Sequence, residues 1–239
     1  MKSHFLRNLP ALALAMGLTS GSASAAIAYT ETFDTNASGW LTGASTAAAY
    51  SATGGVGNSG YISSTTTFTS GATGAFGAPP LQILMRGNAA SDASSDAYVG
   101  NWITAGISSL TVTVRHNYSE ALNLYARLDA GGGAAASLAN LSAYAVLPDT
   151  WTTITIPIFD SPASSTGPFL SYGGAGAFEP VFSNIQNVQL GFYVPASTTI
   201  TNLVMDVDTV TTAVPEPASL GLAAFAGAGF VLRRRRARA

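Results

Sequence analysis

Few residues in this sequence have the types and spacing that chemistry needs. Its 239 residues include no cysteine and two histidines. That removes disulfides, thiolate metal sites and cysteine nucleophiles. His116 stands in Val114-Arg115-His116-Asn117-Tyr118, and His4 lies near the N-terminus. A serine triad needs a histidine beside a serine and a carboxylate. No Gly-x-Ser-x-Gly elbow accompanies His116, so a histidine without catalytic duty is expected. Zinc is disfavoured on the same ground, since a lone central imidazole cannot fill a tetrahedral site. A carboxylate pair could run a glycosidase, but Glu120 and Glu179 sit in loop-like surroundings with no supporting motif. The expectation is no catalytic residue. Sugar binding would use aromatic faces with polar neighbours, for which Trp40, Trp102, Trp151, Tyr118 and Tyr172 are available. Trp40 follows a turn glycine and Trp151 opens an alternating stretch, so both read as structural. Tyr172, inside a glycine-rich stretch, is the candidate ligand-binding residue.

Charge narrows the partners. Only 9% of the residues are charged, against about 25% in an ordinary soluble domain. Between positions 27 and 213 three arginines (Arg86, Arg115, Arg127) face eleven acids, a formal charge of about −8. Such a surface repels phosphate backbones and argues against nucleic acid.

The basic residues gather at the ends. Lys2 and Arg7 precede an apolar run, and the small residues of TSGSASAA follow. This is the order of a secretory signal peptide over residues 1–25, with Ala23-Ser24-Ala25 as the cleavage site. At the other end, residues 218–232 carry no charge. As a helix this segment would span about 22 Å, short of the roughly 30 Å hydrocarbon core. Pro215 and Pro217 block helix propagation upstream. Arg233, Arg234, Arg235 and Arg236 downstream supply a positive-inside stop whose long stems reach the interface. A transmembrane helix over 218–232 is expected.

Between the ends, apolar side chains recur with a period of two. Leu110, Val112 and Val114 alternate with Thr111, Thr113 and Arg115, and Leu122, Leu124, Ala126 and Leu128 with Asn123, Tyr125 and Arg127. Ile154, Ile156 and Ile158 do the same, and 188–190 and 205–210 add two more runs. This is the pattern of half-buried strands. Weaker strands are expected at 29–33, 61–68, 81–85 and 98–103. Breaks rich in glycine and serine fall at 53–60, 70–77, 130–136 and 161–176. The architecture expected for 27–213 is an all-β, antiparallel sandwich, flanked by the signal-peptide helix and the C-terminal transmembrane helix.

Two resemblances sharpen this. Val214-Pro215-Glu216-Pro217, a weak apolar span and a terminal arginine cluster resemble the PEP-CTERM sorting signal, here over 214–239. The resemblance implies export by the secretion translocon and signal peptidase, transient anchoring in the inner membrane, and processing near Pro-Glu-Pro by an exosortase. It also implies final placement at the cell surface or in the extracellular matrix. Glu31-Thr32-Phe33-Asp34 with Gly39-Trp40, Gly57-Asn58-Ser59-Gly60-Tyr61-Ile62, 151–157 and Val207-Asp208-Thr209-Val210 resemble carbohydrate-binding-module-like (galactose-binding-like) jelly rolls. In that group the first and last strands are neighbours, and their acids with a glycine-rich turn often enclose a structural calcium ion. The candidate ligands here are Glu31, Asp206 and Asp208 with the 57–60 turn; solvated acids are the alternative. No cofactor is required. The function expected is a non-catalytic surface or matrix protein that contacts exopolysaccharide weakly, with a secreted polysaccharide-active hydrolase or lyase as the alternative.

Overall fold

Alternating runs punctuated by glycine and serine become paired strands, because a single strand cannot satisfy its backbone groups or bury its apolar face. The computed structural model describes residues 29–69, 81–131, 137–140, 144–158, 169–171, 178–195 and 198–214. The signal peptide, Tyr172, Pro215, Glu216, Pro217, the 218–232 segment and Arg233 to Arg236 lie outside them. Thirteen strands are described: β1 Tyr29–Glu31, β2 Leu41–Thr42, β3 Ala49–Ser51, β4 Tyr61–Thr69, β5 Leu81–Asn88, β6 Ser109–His116, β7 Leu122–Asp129, β8 Ser137–Asn140, β9 Ala145–Val146, β10 Thr152–Pro157, β11 Phe169–Ser171, β12 Asn187–Tyr193 and β13 Thr199–Ala213. Among the described residues one short α-helix, α1 Phe178–Phe182, precedes β12, and short 3-10 turns follow β3 and β5.

The strands form two antiparallel sheets. The first runs β10-β6-β13-β4-β3, with β1 added to β13 beyond the end of β4. The second runs β11-β8-β7-β12-β5-β2, with β9 also on β7. Leu110, Val112 and Val114 of β6 and Ile154 and Ile156 of β10 point inward. They join Leu122, Leu124, Ala126 and Leu128 of β7 and Val188, Leu190 and Phe192 of β12 in one apolar core. The result is a β-sandwich. Burying each such side chain stabilises by roughly 1.5–3 kcal/mol. A one-residue slip would turn a whole row outward, so the alternation fixes the register.

The last strand breaks the simple alternation. Ile200 is buried, then Leu203, Met205 and Val207, then Val210 and Thr212. Each change of parity coincides with a register shift. One lies against β4 between Ile200 and Leu203, where Asn202 takes a left-handed conformation at φ 54°. The other lies against β6 between Val207 and Thr209, leaving Asp208 as the extra residue of a bulge.

Two stretches depart from the sequence expectation. Residues 98–103 form no strand. Tyr98 and Trp102 are both buried four residues apart, and the Trp102 indole donates to the Tyr98 carbonyl at 2.9 Å. That spacing suits successive turns, and the apolar content alone did not reveal it. The break at 161–176 contains β11, which pairs with β8. No helix among the described residues is long and apolar enough to cross a membrane; the 218–232 segment lies outside them.

Candidate functional site

The outer face of the first sheet holds a polar cluster. Arg115 of β6 and Asp206 of β13 are register partners. Both Nε and Nη2 of Arg115 donate to Oδ2 of Asp206, at 3.0 and 2.7 Å. The Ser63 hydroxyl of β4 donates to Oδ1 at 2.7 Å. The Arg115 guanidinium lies 4.5 Å from the ring centre of Trp151 and 5.6 Å from that of Tyr61, a cation–π arrangement. Trp151 and Tyr61 meet edge to face, and the Trp151 indole donates to the Gly54 carbonyl at 3.2 Å. Rows of paired threonine hydroxyls continue the face, Thr111 with Thr155 at 2.9 Å and Thr113 with Thr153 at 3.0 Å. Trp151 is half-buried here, outside the core, whereas Trp40 and Trp102 are fully buried. Tyr118 packs at the core margin. Recognising the Arg115–Trp151 contact needs the β6–β10 pairing, in which Thr152 sits opposite Val114.

Glu31, Asp206 and Asp208 are each taken up separately. Glu31 accepts from the Phe33 amide at 3.1 Å and the Tyr29 hydroxyl at 3.2 Å. Burial, reinforced by the Glu31 charge, raises the Tyr29 pKa. Oδ2 of Asp208 accepts from the Val56 amide at 2.9 Å and from the Ser59 hydroxyl, while Oδ1 accepts from Thr209. Asp206 is committed to Arg115. Calcium wants six to eight oxygen ligands. The 55–59 turn presents an N–H and a hydroxyl proton to Asp208, and a guanidinium already neutralises Asp206. Among the described residues no three acidic or histidine side chains converge on one point. The three acids therefore do not fit one calcium site.

His116 is buried at the far end of β6, edge-on to Phe192 with ring centres 5.0 Å apart. Its Nδ1 accepts from the Tyr118 amide at 3.1 Å, and its Nε2 lies 2.9 Å from the Val146 carbonyl. That pairing assigns the neutral form protonated at Nε2. Burial lowers the His116 pKa, opposed by the Val146 carbonyl and Asp149. Glu120 and Glu179 are exposed.

The last strand leads directly to the C-terminal motif. Ala213 is held by β6 opposite Ser109, and its carbonyl accepts from the Ser108 amide at 2.8 Å. Val214, half-buried, follows without a spacer.

No curated protein matches the chain. A solved structure titled "Structure of PfGH50B" resembles 58% of this chain at 9% identity with a TM-score of 0.35, and this chain spans 22% of that one. Residues 213–236 match the PEP-CTERM protein-sorting motif. The match begins on the last residue of β13 and marks an exported protein, with a C-terminal membrane-anchoring tail, that an exosortase sorts.

Proposed function

We propose that this chain is a non-catalytic jelly-roll protein of the cell surface or extracellular matrix. An exosortase releases it from its tail, and it holds exopolysaccharide through weak contacts around Trp151. The observation that carries this reading is the junction at residue 213, where the sorting motif starts as the last strand ends. A cut at or beyond Pro215 would remove no strand residue, so the sandwich would stay folded after processing. Two antiparallel sheets over one core support the jelly-roll reading. The Trp151 and Tyr61 rings, flanked by hydroxyls and an arginine–aspartate pair, offer the mix of apolar face and polar edge that sugars use.

Intact-mass measurement of the protein from its native host tests the reading. The expected species starts at Ala26 or Ile27 and ends within 214–217. A chain that keeps its arginine tail in the cytosol would overturn it. Glu216→Ala is expected to leave the tail uncut in the membrane fraction.

A further inference from the structure

Beside the exit of the last strand the surface opens into an apolar cavity of about 200 Å³, lined by Trp102, Ile103, Ile107, Ile158, Phe178 and Phe182. Ile103 at its mouth is 46% exposed. The wall is a tight turn. The Gly106 amide donates to the Ile103 carbonyl at 3.0 Å, and the Ile107 amide to the Trp102 carbonyl at 3.0 Å. Gly106 has φ +68°, and a Cβ there would lie 3.6 Å from Cγ1 of Val214. The cavity mouth and the start of the sorting segment are thus neighbours.

We propose that this apolar mouth docks onto the bilayer surface while the C-terminal segment is inserted. The proposal rests on the sorting reading above. Only Pro215, Glu216 and Pro217 separate Val214 from the uncharged 218–232 segment. Three extended residues reach about 9 Å. Interfacial apolar faces settle roughly 5–10 Å into the headgroup boundary. A tail seated in the membrane therefore brings this end of the sandwich to the lipid surface, with Ile103 at the front. Charge agrees with the placement. No charged residue occurs from Ala97 through Val114, although the segment between positions 27 and 213 is acidic overall. Glu179, exposed on α1 between Phe178 and Phe182, is the acid nearest the mouth in sequence. Apolar contact, and not attraction to anionic lipid, would hold the surface.

The chain has no cysteine, so single probes can be placed without background. An environment-sensitive fluorophore is attached to the tail-bearing chain at Ile103→Cys, at Leu147→Cys or at Ala224→Cys. Each chain is reconstituted into phosphatidylethanolamine–phosphatidylglycerol vesicles that carry a spin-labelled quencher lipid. Ile103 and Leu147 are both exposed, so neither substitution disturbs the core. Leu147 lies by the His116 end of β6, seven residues along the strand from Ser109. Lipid quenching at Ala224 and Ile103, with none at Leu147, is the expected result. Quenching at Ala224 alone overturns the docking and leaves the sorting reading standing. Quenching at neither Ala224 nor Ile103 overturns both. A blue-shifted but unquenched Ile103 probe also overturns the docking, because the mouth is then covered by protein. If that shift depends on protein concentration the cover is a second copy, and otherwise it is this chain's own residues.

Discussion

At the scale of single residues, the half-buried Trp151 and the buried His116 make opposite predictions. Trp151 is half-buried on an outer face, outside the core, so Trp151→Ala should leave the fold intact at a modest cost in stability. Aromatic contacts are worth about 0.5–1.5 kcal/mol. Affinity for the host's exopolysaccharide should therefore fall roughly 2- to 10-fold by affinity electrophoresis, and an unchanged mobility would remove Trp151 from the contact. His116 should govern stability and leave binding alone. Its folded pKa lies below its ordinary value because burial disfavours the imidazolium. The unfolded chain then binds the proton more readily. The stability His116 contributes is complete above the unfolded pKa of about 6.5 and is lost as pH falls from there towards the folded pKa. Urea midpoints should drop between pH 8 and pH 5, and His116→Gln should flatten that slope.

At the scale of elements, the bulge at Asp208 and the turn that caps it act as one unit. A Cβ on Gly55 would fall 2.2 Å from Oδ2 of Asp208 and 2.5 Å from the Ser59 hydroxyl. Gly55→Ala should therefore destabilise by about 1–3 kcal/mol. Asp208→Ala in the same chain should relieve part of that cost, a coupling that a double-mutant cycle in urea would measure. Because protein donors already occupy the carboxylates, millimolar calcium is expected to leave the Tm unchanged. A clear rise would mean that the acids rearrange around the ion. These elements also show where sequence reasoning succeeds. The runs on β6, β7 and β10 were legible because each keeps one period across its whole length. Their partners were not, since pairing joins residues far apart, as Arg115 and Asp206 are. The bulge at Asp208 is not legible, because Met205-Asp206-Val207-Asp208 keeps an apparent alternation while the strand is changing faces beneath it. The structural reading of Trp151 does not say which face it takes, because an aromatic at a strand start looks the same on either.

At the scale of the whole molecule, the sandwich and its sorting segment are joined without slack. The motif match begins at residue 213, and Ala213 is still hydrogen-bonded within the first sheet. Shortening β13 by its last turn-facing residues should therefore damage folding and sorting together. Deleting 210–213 would remove the pairing with β1 and with Ser109, Leu110, Thr111 and Val112 of β6. The expected outcome is a large loss of soluble protein, read by protease resistance after export. Inserting a flexible Gly-Ser spacer after Val214 should leave the fold intact and separate the cavity mouth from the membrane.

The last strand is paired with β4 from Thr199 to Val207, with β6 from Met205 to Ala213 and with β1 from Val210 to Thr212, so it has neighbours on both sides through much of its C-terminal part. While the tail is still seated in the membrane, tension on the protein runs along the axis of this strand. The ladder hydrogen bonds run perpendicular to the strands, so that tension loads many of them at once in shear and cannot unzip them singly. The chain would thus be mechanically strongest at the point where it is held.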